Sequence, residues 1–296
     1  MMTSNSMPHA SGLDAWQAGL YDDRLRALLQ EDAPQGDLTT RALGLGPRPG
    51  LMHFEARAPM RPAALAAAAR LLVLCGAEVL VQAPDGSDQP AGALLLQAHG
   101  PAPGLLLAWK TAQTLVEACS GIATATAAIV TRLREAGHAV PLACTRKAFP
   151  GTRWWAALAV QAGGGMMHRT GLSETLLVFP EHRAFLSTAE LAQAMHQLRQ
   201  GQPEKRRVVE VGSQEEALQQ ARLGAEVLQL ERFSPPEVAA LRQALQRAGL
   251  AALLAPAGGV NLANAVAFAD AGADVLVSSA PYFAPPADVR VQLAPA

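Results

Sequence analysis

From about residue 140 onward the chain repeats one pattern, a short apolar run, a loop and then a helical stretch, and this alternation narrows the fold more than any other feature. Candidate strands cover residues 140–144, 175–179, 207–211, 227–230, 251–254 and 274–277, with helical stretches at 154–161, 188–200, 214–223 and 236–248 between most of them. Short, largely apolar strands separated by helices predict a parallel sheet, because parallel neighbours need a crossover that covers a sheet face. The polar residues fall in one place on these strands. Thr145, Arg146, Lys147, Glu231, Gly258, Gly259, Ser278 and Ser279 lie at or just past a C-terminal end, and Glu210 lies within its strand. In parallel sheets and barrels that end is where ligands bind.

The first part of the chain reads differently. Leu20, Leu25, Leu28 and Leu29 are spaced for a helix over 20–30, and Gly36 and Asp37 interrupt it within the turn-rich EDAPQGDLTT. Residues 51–56 and 94–98 read as strands, 63–74 as a helix, and 107–136 as a long helix with Gly121 as a candidate break. The reading divides the chain into a disordered leader 1–19, an α+β domain 20–118, an α/β barrel 119–281 and a tail 282–296 that can return to the N-terminal domain. Met7 competes with Met1 as the start, and the opening residues have neither the basic nor the apolar segment of a signal peptide.

Composition excludes some partners. With 24 basic against 25 acidic residues, no global field draws the chain to nucleic acid or to an anionic membrane, so anion binding must be local. The apolar stretch 62–81 carries Arg70, Gly76 and Glu78, and no transmembrane helix is expected. Cys75, Cys119 and Cys144 are odd in number and set in apolar runs, which predicts reduced thiols and a cytoplasmic protein.

The segment 144–182 concentrates fixed cations. Arg146 and Lys147 leave one strand, and His168 and Arg169 follow Gly163, Gly164 and Gly165, whose backbone could approach an anion closely. A solvated basic pair and a plain glycine loop are the bland alternatives. Glu210, flanked by valines, needs a partner: an ion pair with Arg206 or Arg207, or else a metal or a developing cation shared with Glu231. Gly258 and Gly259 before the helical NLANAVAFADAG read as a phosphate seat, with Ser278 and Ser279 as further donors.

These motifs, in order, resemble the quinolinate phosphoribosyltransferase family over nearly the full length. EDAPQGDLTT, KTAQTLVEACSGIAT, TRKAFPGTR, AGGGMMHRTGL, VEVGSQEEAL, LQLERF, APAGGV and GADVLVSS match its signatures. GLSETLLVFPEHR is similar to the ModD branch, pyrophosphorylases associated with molybdenum-transport operons. The resemblance implies a type II phosphoribosyltransferase-like incomplete α/β barrel with an N-terminal α+β sandwich domain. Three edits fall on the implied ligand shell: Phe179 stands where the quinolinate enzymes have a carboxylate-binding lysine, Lys110 where they have an arginine donated from the neighbouring subunit, and Glu231 where they have an aspartate. Each charged hydrogen bond lost would weaken recognition of a planar dicarboxylate by about 1.5–3 kcal/mol.

The implied activity is transfer of a phosphoribosyl group from phosphoribosyl pyrophosphate, with Mg²⁺, to a small nitrogen-containing acceptor other than quinolinate. In it Lys147 and Arg146 meet the pyrophosphate and acceptor anions, and Glu210 and Glu231 meet the ribose and, through water, the metal. Gly258, Gly259, Ser278 and Ser279 hold the 5-phosphate, while Thr145, His168, Arg169, Phe179 and Lys110 bind substrate. A homodimer with shared active sites, or a higher oligomer of dimers, follows from Lys110. The alternatives are a decarboxylating quinolinate phosphoribosyltransferase and a non-catalytic anion or nucleotide binder in molybdenum handling.

Overall fold

The computed structural model describes residues 15–296. The leader expected over 1–19 and the choice between Met1 and Met7 lie outside the described residues up to residue 14. From Ala15 the chain is helical, so 15–19 belong to a helix and not to a leader. The chain forms two compact units, one holding the described residues up to Thr124 with Pro285–Ala296, the other Ala125–Ala284. The first boundary falls inside a continuous helix, not at the 118/119 position read from the sequence.

The first unit runs through α1 (Ala15–Asp32), α2 (Leu38–Ala42), β1 (Pro49–Ala56), α3 (Leu65–Leu74), β2 (Glu78–Gln82), β3 (Leu94–Pro101) and the first part of α4 (Ala102–Glu135). A C-terminal strand, Val289–Pro295, completes its antiparallel sheet, in the order C-terminal strand, β1, β3, β2. Local chemistry explains the helix starts. The Asp37 carboxylate accepts the N–H groups of Thr39 and Thr40 at 2.9 and 3.2 Å, which is how the GDLTT turn opens α2. Asp85 accepts the N–H groups of Leu65 and Ala66 and so begins α3. Arg70 of α3 holds Asp22 of α1 through two bonds of 2.8 and 2.7 Å. β2 escaped the sequence reading because it is a largely exposed edge strand with no alternation to betray it.

α4 buries Leu105, Ala108, Ala112, Val116, Cys119 and Ala123 at helical spacing, the stripe of a core helix. By length and composition alone it is long and apolar enough to cross a membrane, which the sequence reading did not anticipate, but half of its most apolar window is buried. Gly121 does not break it. A Cβ there would sit 2.3 Å from the Pro285 carbonyl oxygen, so this glycine serves close approach of the returning chain.

The second unit continues α4 and then contains β4 (Leu142–Cys144), α5 (Arg153–Ala162), β5 (Met166–Met167), β6 (Leu176–Val178), α6 (Pro180–Arg183), α7 (Thr188–Gly201), β7 (Arg207–Val211), α8 (Gln214–Arg222), β8 (Val227–Glu231), α9 (Pro235–Arg247), β9 (Leu253–Ala257), α10 (Ala265–Asp270) and β10 (Leu276–Ser278). Two parallel arcs result, β10-β4-β5 and β6-β7-β8-β9. The Asp274 N–H reaches the Leu254 oxygen at 2.9 Å, which brings the start of β10 beside β9. Among the described residues β5 and β6 make no ladder, so the α/β barrel is incomplete, as expected.

Alternation along the strands separates an inner from an outer face. Val209, Val211, Leu228, Leu230, Leu254 and Leu276 are buried with the outward parity. Val208, Val227, Leu253, Ala255, Ala257, Val275 and Val277 form the inner apolar cluster. Glu210, Gln229 and Glu231 share the inner parity one or two pleats further toward the C-terminal end, so the apolar layer is the floor under the polar residues. Cys75, Cys119 and Cys144 are all reduced, outside any disulfide among the described residues; Cys119 and Cys144 are buried, and burial pushes both up to about 12.

Candidate active site

A cavity of about 590 Å³ opens on the inner face, lined from the C-terminal ends of all seven parallel strands. It falls in the range of about 300–1,000 Å³ usual for small-molecule sites. Arg146, Lys147 and Arg169 line it together with Glu181, Glu210 and Glu231, three cations and three carboxylates in one cavity. A neighbouring cavity of about 620 Å³ beside β6 and α7 shares Arg169 and Leu177 with it but is mostly apolar and holds no carboxylate. The chemistry therefore belongs to the first.

Arg146 and Lys147 occupy the loop after β4, which is pinned from three sides. The Thr145 N–H donates to the Ser278 oxygen at 3.0 Å, Tyr282 Oη donates to the Thr145 carbonyl at 2.6 Å, and the Lys147 N–H donates to Thr145 Oγ1 at 3.2 Å. Thr145 thus lines the cavity while its hydroxyl shapes the loop that presents the cations.

Glu210 and Glu231 come from adjacent strands. Gln229, in register opposite Glu210, donates Nε2 to Glu210 Oε2 at 2.5 Å. Burial, followed by the charge of Glu231, holds the Glu210 carboxyl above its ordinary range, with the Gln229 hydrogen bond and Lys147 opposing. The ion pair with Arg207 is not formed. Its Nε and backbone N–H both reach Glu226 Oε2, at 3.0 and 3.1 Å. Two carboxylates on adjacent strands of one cavity wall suit a divalent cation. Among the described residues no group of three or more His, Cys, Asp or Glu could cage one. That donor set fits Mg²⁺, which keeps several waters and binds one or two carboxylates together with substrate phosphates.

The opposite wall is built by the loops after β5 and β6. Arg169 is only 5% exposed and lies with its guanidinium carbon 5.4 Å from the Phe179 ring centroid. Phe179 is itself fixed, donating its N–H to His182 Nδ1 at 2.9 Å and stacking on that imidazole at 5.8 Å. Burial and the Arg169 charge keep His168 below its ordinary value, so it is neutral at neutral pH.

The phosphate-seat residues need sorting. Among the described residues the N–H groups of Gly258, Gly259, Val260 and Ser279 make no hydrogen bond, although all four residues line the cavity. The structure alters three details of the reading. Gly163, Gly164 and Gly165 spend their N–H groups on Ala159, Gln161 and Val160 at 3.0, 2.9 and 3.0 Å, so the triple glycine closes α5 and offers no amide to a ligand. α10 begins at Ala265, beyond a turn from Asn261, so no helix N-terminus abuts Gly259. Ser278 has the outward parity of Leu276, is buried, and donates Oγ to the Val260 oxygen at 2.6 Å; it braces the loop and does not line the cavity. Lys110, expected to act in a neighbouring subunit's site, lies on α4, bonded to Gln113 Oε1 at 3.1 Å and set over Trp109.

Sequence reasoning missed Gln229, Glu181, Asn261, Tyr282 and Arg183. Gln229 was readable as a polar residue two before Glu231 in an otherwise apolar strand. Arg183 gave no local signal: it reaches the Glu210 carbonyl at 2.8 Å and the Glu216 carboxylate from a one-turn helix.

Comparison with known proteins agrees with this architecture. Two family models match, "Quinolinate phosphoribosyl transferase, C-terminal domain" over residues 122–292 and "Quinolinate phosphoribosyl transferase, N-terminal domain" over 37–120. Among relatives, "Putative pyrophosphorylase ModD" of Rhodobacter capsulatus is 46% identical over 247 residues, 82% of this chain and 94% of that one. The ModD protein of Escherichia coli O6:H1 is 39% identical over 278 residues, 94% of this chain and 98% of that one. The crystal structure of NadC from Streptococcus pyogenes superimposes with a TM-score of 0.83 at 26% identity, covering 93% of this chain and 97% of that one. The chain therefore belongs to the quinolinate phosphoribosyl transferase family and is a glycosyltransferase enzyme.

Proposed function

We propose that the enzyme transfers the phosphoribosyl group of phosphoribosyl pyrophosphate to a ring nitrogen of a small acceptor that is not quinolinate. The observation that carries this reading is the pairing, in one cavity, of unspent backbone amides after β9 and β10 with a cationic loop after β4 and two carboxylates between them. Each part suits one part of the donor. The N–H groups of Gly258, Gly259, Val260 and Ser279 receive the 5-phosphate. Arg146 and Lys147 take the pyrophosphate, a guanidinium fork beside a mobile point charge.

In the reaction the acceptor nitrogen forms a bond to the anomeric carbon as the bond from that carbon to the pyrophosphate oxygen breaks, and pyrophosphate leaves with the electron pair. Positive charge builds on the ribose ring between those events. Glu210 and Glu231 lie on the inner wall where a fixed negative charge stabilises it, and Gln229 holds the Glu210 carboxylate in place. Mg²⁺, held through Glu210 and Glu231 directly or by water, would neutralise the leaving pyrophosphate. The acceptor side is His168, Arg169 and Phe179. The ModD names of relatives 46% and 39% identical support a pyrophosphorylase reading, and Phe179 in place of a carboxylate-binding lysine counts against quinolinate. The proposal includes a cytoplasmic homodimer in which Lys110 completes the partner's site.

Titration calorimetry with phosphoribosyl pyrophosphate, with and without Mg²⁺, tests the donor half. Binding that requires Mg²⁺ and weakens about tenfold or more in Lys147→Ala, one charge-assisted contact, is expected. Absence of donor binding under both conditions would overturn the reading.

A further inference from the structure

We infer that the acceptor is a heterocycle with a ring N–H, as azoles and ring lactams have, and that the Glu181 carboxylate takes its proton as the bond to the anomeric carbon forms. The inference deepens the phosphoribosyl-transfer reading and rests on it for the donor. What it adds is the chemical class of the acceptor and a base for the step.

Three carboxylates line the cavity, and two of them have partners there. Glu210 takes the Gln229 amide, and Glu231 has Arg232 Nε at 3.6 Å. Glu181 makes no hydrogen bond or ion pair among the described residues and is exposed, so an arriving ligand can reach it. It does not join the other two on one metal ion, because among the described residues no three His, Cys, Asp or Glu side chains could hold one. Its backbone, by contrast, is anchored. The Phe179 N–H donates to His182 Nδ1 at 2.9 Å, and Arg183 reaches the Glu210 carbonyl at 2.8 Å, so both ends of this short turn are tied down.

Glu181 follows Phe179 by two residues and therefore stands on the acceptor side of the cavity. Burial first, and then Glu231, hold the Glu210 carboxyl above its ordinary range, and the charge of Glu181 adds to them, which puts that charge within reach of the reacting centre. An unpartnered carboxylate in such a place is matched by an N–H, the donor that gives it a charge-assisted hydrogen bond. The other groups of that wall are poorer bases. Arg169 has no neutral form at working pH, and His168 is kept below its ordinary value by burial and by Arg169, so a proton there would face a guanidinium. His182 commits Nδ1 to the Phe179 N–H.

The step balances. A ring nitrogen gives its lone pair to the anomeric carbon, pyrophosphate leaves with the electron pair of the broken C–O bond, and the N–H electron pair stays with the ring as the proton moves to Glu181. The ring is left without formal charge, and the proton passes from Glu181 to water when the product departs. A pyridine has no ring proton to give and ends as a permanent cation, so it makes no use of this carboxylate.

Pyrophosphate release by the full chain from phosphoribosyl pyrophosphate and Mg²⁺ tests this, with acceptors paired to differ at the N–H. Imidazole-4-carboxylate and benzimidazole are each compared with their 1-methyl derivatives, and nicotinate serves as the pyridine. In at least one pair the N–H form should support release about tenfold or more faster than its 1-methyl form and faster than nicotinate, the weight of one charged hydrogen bond. Glu181→Gln should slow release with that N–H acceptor by about a hundredfold or more, the range of a general base, while changing the 1-methyl rate and calorimetric donor binding little; Glu181→Asp should recover part of the loss. A merely structural role would lower all the rates alike. Equal rates within both pairs, a loss in Glu181→Gln shared by N–H and 1-methyl forms, or donor binding with no release from any probe would overturn the inference. Absence of donor binding would sink the transfer reading, and this inference with it.

Discussion

Gly258→Ala joins backbone conformation to site chemistry in one methyl group. Gly258 has φ +75°, and a Cβ there would lie 2.7 Å from Glu231 Oε1 and 2.9 Å from Glu231 Cδ. The backbone part costs about 1–2 kcal/mol, the penalty of a side chain in the left-handed region. The contact part is resolved cheaply for stability, since a carboxylate at the end of a flexible side chain can rotate away. It is resolved at the expense of the site, since Glu231 must leave the wall it shares with Glu210. The two effects separate in different assays. Thermal melting should fall by about 2–8 °C, from 1–2 kcal/mol at about 2–4 °C per kcal/mol. Calorimetry should show Mg²⁺-dependent donor binding weakened by about tenfold or more, close to the loss in Glu231→Gln. A variant that melts lower but binds the donor as the unaltered chain does would refute the proposed link between this glycine and the carboxylate.

Three further expectations concern stability and positioning. Asp22 is held below the usual carboxylate range first by its hydrogen bonds from Arg70, so its contribution is present above pH 3.8 and is lost as pH falls through the depressed value. Asp22→Asn should cost about 1.5–3 kcal/mol in urea unfolding at pH 7, with a coupling to Arg70→Met that vanishes in acid; equal coupling at both pH values would contradict this. His168 is depressed by burial and by Arg169, so the unfolded chain takes up its proton first: stability is full above its ordinary value of 6.5 and declines as pH drops below it. His168→Asn should flatten urea midpoints between pH 7 and 5, and an unchanged slope would count against the buried neutral imidazole. Arg183→Met should destabilise by about 3 kcal/mol, the scale for breaking a buried pair, and weaken donor binding through Glu210; a loss below about 1 kcal/mol in urea unfolding would remove its positioning role.

Much of the barrel was legible because its strands are short apolar runs that end in chemistry. Glu231, Gly258 and Lys147 all follow from knowing where a parallel strand stops. What stayed hidden was decided by parity and by distance. Ser278 and Ser279 look equivalent in sequence, yet one pleat turns the first under the helices and leaves the second on the cavity. The triple glycine looked like a ligand cradle, but its amides close a helix. Arg183 and Tyr282 act on carbonyls of residues 27 and 137 positions away, beyond the reach of any local pattern. The two-residue strand β5 is too short to show periodicity, though His168 and Arg169 after it were found from their charge.

The central claim is tested most directly by measuring pyrophosphate release from phosphoribosyl pyrophosphate and Mg²⁺ across a panel of nitrogen heterocycles that includes quinolinate, with Lys147→Ala alongside. The account predicts release that depends on one acceptor, is absent with quinolinate and is abolished in the variant. Release with quinolinate as the preferred acceptor, or release that Lys147→Ala leaves intact, would contradict it.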